Sequence, residues 1–116
     1  MIRLHGIPNC DTVRKARTWL DAHGVAHEFV DFKKTPPTAA LLNDWVARLG
    51  AEQLLNRRGT TWRKLPPEAQ AEAATVEGAV RLMLAHPSVI RRPVVEAGEQ
   101  LWTGFDAEDY LRRLKA

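Results

Sequence analysis

The sequence predicts an α/β fold in which a β-α-β half and a β-β-α half build one sheet core, with a helical insert between them. Three observations support this prediction. Strand, helix and strand patterns follow one another over residues 2–32. Residues 38–87 then show helical periodicity, and the last third of the chain returns to two strand patterns and a final helix.

The first half begins with a strand over Ile2–His5, followed by a turn over residues 6–9 that contains Gly, Pro and Asn. A helix is expected to start near Cys10–Asp11 and to stop at Gly24. A second strand is expected over residues 26–32. Two strands joined by one helix form a parallel pair with a right-handed crossover. The apolar positions of the helix recur at helical spacing: Val13, Ala16 and Leu20.

The middle of the chain contains two threonines that are each placed to cap a helix, Thr38 and Thr75. The first helix is expected to end at Gly50 and the second at His86-Pro87. A short helix near residues 52–55 and another opened by Pro66-Pro67 are expected between them, while residues 57–64 are polar and predicted to be irregular. The apolar positions of the two capped helices are Leu41, Leu42, Trp45 and Leu49, and Val76, Val80, Met83 and Leu84.

The last third contains strand patterns over residues 94–96 and 101–103, which flank Ala97-Gly98 and predict an antiparallel hairpin. Asp106, with Asp109 three residues later, is placed to cap a final helix. That helix carries Tyr110, Leu111 and Leu114. The connectivity as a whole is thioredoxin-like. It predicts a single domain over residues 1–116, with a sheet core formed by residues 1–33 and 88–116 and a helical insert over residues 38–87.

The composition limits the classes of function. The chain has 116 residues, of which 45% are apolar and 27% charged, as is typical of a soluble single domain. The formal net charge is +3 and no five cations are adjacent, so direct nucleic-acid binding is not expected. No apolar stretch approaches the roughly 20 residues that cross a bilayer, and the N-terminus lacks a signal-peptide pattern. We therefore expect a cytoplasmic protein without membrane contact.

The single cysteine, Cys10, excludes an internal disulfide, a Cys-x-x-Cys pair and a multi-cysteine zinc site. The four histidines lack metal-ligand spacing, so no metal is expected. Cys10 lies between a strand and a helix, where unpaired N–H groups and the helix dipole stabilise a nucleophilic thiolate. Arg14, one turn further on, adds a cation, whereas Asp11 acts in the opposite direction. The alternative is a small buried side chain, but polar Asn9 and Asp11 flank the cysteine.

Without a second cysteine, an oxidised Cys10 requires an external thiol for its reduction, and glutathione or a glutaredoxin is the natural choice. The arginine pairs 57–58 and 91–92 are candidates to hold an oxyanion or the carboxylates of glutathione. The alternative is that each pair is simply solvated. A cis Arg92–Pro93 bond before the third strand is expected to bring the backbone next to Cys10.

Three blocks of sequence carry a resemblance to a known family. They are residues 5–16 (HGIPNCDTVRKA), residues 54–65 (LLNRRGTTWRKL) and residues 90–95 (IRRPVV) followed by Gly104-Phe105. The blocks resemble the motifs of the ArsC/Spx/YffB family, in the order of that family and over nearly the whole chain. The resemblance is closest to the YffB branch, through the motifs around Cys10 and over residues 58–65.

The resemblance implies a thioredoxin fold with a helical insert and a nucleophilic Cys10. It also implies a function as a glutathione-dependent thiol/disulfide oxidoreductase, with glutathione as co-substrate and no tightly bound cofactor. The family arginine before the proline corresponds to Arg92, and the arginine of the middle block to Arg58, with Arg57 as the alternative. With the residues proposed above, the candidate substrate- and glutathione-binding set is Asn9, Arg14, Arg58, Arg92 and Pro93.

Two alternatives follow from the same resemblance. The first is an arsenate reductase that uses glutathione and glutaredoxin. The sequence departs from those enzymes at Val13, where they carry a serine, at Gly6, where they carry a histidine, and near Gly104-Phe105, where they carry an arginine. The second alternative is a non-catalytic interaction module similar to Spx, which binds RNA polymerase. Val13 also occupies the position of the second cysteine in the Cys-x-x-Cys that is usual in Spx.

Overall fold

A computed structural model describes residues 1–115 of the chain. The chain divides into two compact units, one formed by Met1–Thr35 and the chain from Arg92 onward, the other by Pro36–Arg91. The helices and strands run in the order β1 (Ile2–Gly6), α1 (Asp11–Ala22), β2 (His27–Asp31), α2 (Ala39–Leu49), α3 (Ala51–Leu54), α4 (Thr60–Lys64), α5 (Pro67–Ala71), α6 (Val76–Ala85), β3 (Val94–Ala97), β4 (Gln100–Thr103) and α7 (Ala107–Leu114). Two 3₁₀ turns, Glu72–Ala74 and Pro87–Val89, flank α6.

The first unit contains a four-stranded sheet in the order β2-β1-β3-β4. Strands β1 and β2 are parallel, whereas the pairs β1–β3 and β3–β4 are antiparallel. The predicted thioredoxin-like combination of a β-α-β half and a β-β-α half is therefore confirmed. The register places His5, near the end of β1, opposite Val94, the first residue of β3. The turn that follows β1 and the residue that precedes β3 consequently lie at the same end of the sheet.

The core of the first unit forms where α1 and α7 pack on the sheet. The predicted stripe of α1, Val13, Ala16 and Leu20, is fully buried. It packs in one cluster with Leu4, Val95, Trp102 and Tyr110. Helix α7 begins as predicted at Asp106, whose carboxylate accepts a hydrogen bond of 3.0 Å from the backbone N–H of Asp109.

The second unit consists of the helices α2 to α6 and the two 3₁₀ turns. Both predicted threonine caps are confirmed, since Thr38 accepts from the N–H of Leu41 and Thr75 from that of Gly78. The prediction that residues 57–64 are irregular was wrong for the short helix α4. Two apolar side chains of α6, Val76 and Leu84, are exposed. Among the helices of residues 1–115, none is both long and apolar enough to cross a membrane.

Candidate functional site

Cys10 is the residue from which helix α1 begins. Its backbone is extended, with φ −106° and ψ 126°, and its carbonyl accepts a hydrogen bond of 2.9 Å from the N–H of Arg14. The side chain is half-buried and packs against the core of the first unit. Within residues 1–115 it makes no capping hydrogen bond to α1, so the amide groups of the first helical turn stay available to an incoming anion. Asn9 precedes it in an exposed turn.

Arg14, a predicted ligand of the substrate, forms an ion pair with the carboxylate of Asp11 on the same helix. Both side chains are largely exposed, with 57% and 82% of their surfaces accessible. Water and salt screen such a pair strongly, so its net contribution is small. Arg14 can therefore exchange Asp11 for a substrate anion at little cost in free energy. Until that exchange, the carboxylate of Asp11 balances the positive charge of Arg14.

Arg92 and Pro93 enter strand β3 at the end of the sheet where β1 leaves it. The Arg92–Pro93 peptide bond is cis, as predicted from the sequence. The carbonyl of Pro93 accepts a hydrogen bond of 2.8 Å from the N–H of Gly104, which ties the start of β3 to the chain after β4. Pro93 is buried and Arg92 is half-buried. The sheet thus brings this dipeptide to the same end as the turn that carries Asn9 and Cys10.

Arg57 and Arg58 belong to the second unit and differ in their surroundings. The guanidinium of Arg57 lies 2.8 Å from a carboxylate oxygen of Glu52 and stacks over the ring of Trp62 at 5.1 Å. Arg58 is exposed, and its backbone N–H donates to the side-chain oxygen of Asn56. Its guanidinium has no carboxylate partner among residues 1–115. Of the two arginines, Arg58 is therefore the one that is free to bind an anion.

Gly6 and Val13, two positions at which the sequence departs from the arsenate reductases it resembles, contact each other. Val13 is fully buried, and a Cβ atom added to Gly6 would lie 2.7 Å from Cγ2 of Val13. Real Cβ atoms essentially never approach another atom so closely. Any side chain at position 6 would therefore collide with Val13 unless one of the two moved.

The sequence did not reveal that His5 and Glu96 form a pair across β1 and β3. Nε2 of His5 lies 2.5 Å from a carboxylate oxygen of Glu96, and only 4% of the surface of His5 is exposed. Burial lowers the pKa of His5 below its ordinary value, and the hydrogen bond to Glu96 opposes this only in part. Since 91 positions separate the two residues, the strand register alone brings them together. Within residues 1–115, no cluster of three or more His, Cys, Asp or Glu side chains is suited to hold a metal ion.

Comparison with known proteins adds a family and several relatives. Residues 5–113 match the model of the ArsC family. Among solved structures, that of a YffB protein is 44% identical, with 97% of each chain covered and a TM-score of 0.92. An arsenate reductase (ArsC) related protein from Brucella melitensis is 42% identical, with a TM-score of 0.77 and coverage of 99% of this chain and 95% of its own. The global transcriptional regulator Spx of Bacillus subtilis is 27% identical over 97% of this chain and 86% of its own length.

Proposed function

The chain belongs to the ArsC family, and from this membership we propose that it is a glutathione-dependent thiol/disulfide oxidoreductase with Cys10 as its single nucleophile. The position of Cys10 is the observation that carries the proposal. It is the only cysteine, it starts α1, it is partly accessible, and polar residues flank it. A thiolate at a helix start is favoured by the unpaired amides there and is reactive towards disulfides.

The proposed reaction consists of two thiol exchanges. In the first, the thiolate of Cys10 attacks the glutathione sulfur of a glutathionylated substrate. A Cys10–glutathione disulfide forms, the substrate disulfide breaks, and the substrate leaves as a thiolate that takes a proton from water. In the second, a glutathione thiolate attacks the sulfur of the bound glutathione, which releases glutathione disulfide and restores Cys10. In total one free glutathione is consumed, the mixed disulfide is reduced to the substrate thiol, and one glutathione disulfide is released, half of which comes from the substrate.

The other residues of the proposed site bind the anionic parts of glutathione. Asn9 and the first amides of α1 lie closest along the chain to the reacting sulfur and stabilise the negative charge of its thiolate. Arg14 and Arg92 of the first unit provide guanidinium groups for the two carboxylates of the tripeptide, and Arg58 is proposed as a ligand from the sequence resemblance alone. Pro93 provides a backbone edge against which the peptide of glutathione aligns. Glutathione acts here as a co-substrate, and a glutaredoxin can replace it in the second exchange.

Reduction of arsenate is a weaker proposal for this chain because of the contact between Gly6 and Val13. The resemblance implies that arsenate reductases carry a histidine and a serine at these positions. Here a side chain at position 6 would collide with buried Val13, and Val13 provides no hydroxyl. The site therefore lacks two polar groups that help to activate the thiol and to hold the oxyanion. A disulfide substrate has no such oxyanion to stabilise.

The test is turnover of a small glutathione mixed disulfide, with glutathione and glutathione reductase supplied and NADPH consumption recorded. The wild-type protein is expected to turn over the disulfide, and mass spectrometry is expected to detect one glutathione on Cys10 after incubation with glutathione disulfide. Cys10→Ser is expected to lose both signals. Arg81→Glu, a change at an exposed position of the second unit, is the control and is expected to keep them. Full turnover by Cys10→Ser would falsify the proposal, and the same assay with arsenate tests the alternative.

A second candidate is a regulatory interaction module, which the similarity to Spx over 86% of the length of that protein favours. On this proposal the chain binds RNA polymerase and catalyses nothing. The redox switch of a Cys-x-x-Cys pair is absent because position 13 is valine. Retention of purified RNA polymerase by the immobilised protein, together with no turnover in the assay above, supports this candidate. Turnover without retention of the polymerase excludes it.

A further inference from the structure

A groove runs along α1 in the first unit, starting one residue after Cys10. It has a volume of about 670 Å³. The side chains of Trp19, Ala22 and Phe105 form its apolar part, and Asp11, Arg14, Lys15 and Thr18 form its polar part. Because an α-helix rises about 1.5 Å per residue, the eleven steps from Asp11 to Ala22 extend over about 16 Å. The groove is therefore long enough for several residues of an extended polypeptide.

The aromatic part of the groove is held in place by the core beneath it. The rings of Phe105 and Trp19 both meet the ring of Tyr110 edge-on, at centroid distances of 4.9 and 5.6 Å. Tyr110 is fully buried, and its hydroxyl donates a hydrogen bond of 2.6 Å to the carbonyl of Gly104, the residue before Phe105. The two aromatic side chains are thus positioned before any ligand arrives, which reduces the entropy that binding costs.

The charges on the rim of the groove indicate the chemistry of its occupant. Arg14 is balanced by Asp11, with which it forms an ion pair. Lys15 is exposed and has no charged partner among residues 1–115. The rim therefore presents one uncompensated positive charge beside an apolar floor. An acidic residue next to a large apolar side chain complements both features.

We propose that this groove binds a short segment of a protein substrate that lies next to the reactive cysteine of that substrate. The bound segment contains a large apolar residue beside an acidic residue. The inference rests on the proposed thiol exchange at Cys10 and adds the class of substrate. Glutathione has no large apolar side chain, so it leaves the apolar part of the groove empty. The groove thus distinguishes protein disulfides from small ones.

The test uses three ten-residue synthetic peptides, each with one cysteine that is glutathionylated. The first peptide carries Phe and Glu near the cysteine, the second replaces Phe by Ser, and the third replaces Glu by Lys. Attack of the Cys10 thiolate on the glutathione sulfur forms a Cys10–glutathione disulfide and releases the peptide as a thiolate. Mass spectrometry of quenched samples gives the second-order rate constant for formation of this disulfide. Glutathione disulfide is assayed in parallel as a substrate that does not use the groove.

We expect the Phe–Glu peptide to react about tenfold faster than either of the other two. Lys15→Glu is expected to abolish the preference for Glu over Lys, and Thr18→Glu to reduce the preference for Phe. Each preference is a ratio of two rates for one variant, so a change in the general reactivity of Cys10, which glutathione disulfide reports, cancels. Arg81→Glu, which changes the net charge of the chain by the same amount as Lys15→Glu, is the control and is expected to keep both preferences. Equal rates for the three peptides, with normal reaction of glutathione disulfide, overturn the groove proposal alone. No reaction with any disulfide overturns the proposed function and the groove proposal with it.

Discussion

A Cβ atom at position 6 would lie 2.7 Å from Cγ2 of Val13, so the glycine at the end of β1 and the valine in the first turns of α1 are fitted to each other. Val13 is fully buried, and a branched side chain in a packed core has no free rotamer into which it can retreat. The fit thus couples the strand that leads to the cysteine turn with the helix that follows it.

Gly6→Ala is expected to lower the free energy of unfolding by about 2 kcal/mol, because the added methyl group overpacks the contact with Val13. Val13→Ala alone is expected to cost about 2 kcal/mol through the cavity that it leaves. In the Val13→Ala background the cost of Gly6→Ala is expected to fall by at least about 1 kcal/mol, since the clashing methyl group is gone. Urea unfolding of the four proteins measures this coupling, and strictly additive effects would contradict the contact.

A second close approach involves Gly78 in the first turn of α6. A Cβ atom there would lie 1.8 Å from the carbonyl oxygen of Glu72 and 3.0 Å from the hydroxyl of Thr75. Helix propensity alone predicts that Gly78→Ala stabilises the protein by up to about 1 kcal/mol. We expect a loss of about 3 kcal/mol instead, since the backbone of the preceding 3₁₀ turn must move. Glu77→Ala, an exposed neighbour, is the control and is expected to change stability by less than about 0.5 kcal/mol. A more stable Gly78→Ala protein contradicts the close approach.

The sequence was sufficient to predict those features of the helices that depend only on residues close together in the chain. The spacing of Val13, Ala16 and Leu20 predicts the buried face of α1, and side-chain oxygens at Thr38 and Thr75 predict two helix starts, because a cap needs only residues within one turn. Helix α4 was missed since it has five residues, none of them buried, and a tertiary contact from the amide of Gln70 to the carbonyl of Trp62 supports it.

The parts of the site that the sequence did not reveal depend on residues far apart in the chain. The pair of His5 and Glu96 requires the register of β1 against β3, which no local pattern specifies. The groove requires Trp19 and Phe105 to meet the same ring of Tyr110. The one feature of the sequence that pointed to the groove was Trp19, a large aromatic residue next to the buried stripe of α1. Its partners Phe105 and Tyr110 lie more than 80 residues further along the chain.

The buried pair of His5 and Glu96 predicts how stability depends on pH. Burial lowers the pKa of His5 below its ordinary value of 6.5, so the unfolded chain binds a proton here more readily than the folded protein does. The contribution of neutral His5 to the free energy of unfolding is therefore fully present above about pH 6.5. It is lost as the pH falls below that value towards the lowered pKa of His5 in the folded protein. We expect the urea midpoint of the wild-type protein to fall over this range.

His5→Gln, which keeps a donor for Glu96 but does not titrate, separates this effect from the protonation of the other histidines. The variant is expected to show a smaller fall of the urea midpoint between about pH 7.5 and pH 5.5. The comparison concerns the slope with pH, so a lower stability of the variant at all pH values does not affect it. Equal slopes for the two proteins show that His5 is not the group responsible.

The ion pair of Asp11 and Arg14 predicts opposite effects of two neutral substitutions on the reactivity of Cys10. In a water-like dielectric, two unit charges about 7 Å apart interact by about 0.6 kcal/mol, which corresponds to about a threefold change in an equilibrium population. We take this as the order of magnitude for charges within one helical turn of Cys10. Asp11→Asn is therefore expected to increase the rate of Cys10 alkylation by iodoacetamide at neutral pH about threefold. Arg14→Gln is expected to decrease it by a similar factor.

The double variant Asp11→Asn with Arg14→Gln tests whether the two charges act on Cys10 as a balanced pair. Because the two charges balance each other in the wild-type protein, removal of both is expected to restore a rate close to the wild-type rate. Arg81→Gln, which removes a charge from the second unit, is expected to have no effect at any salt concentration. Added salt is expected to reduce the effects of both single substitutions, since the pair is exposed. A slower reaction of Asp11→Asn would show that its carboxylate supports the thiolate through Arg14 rather than opposing it.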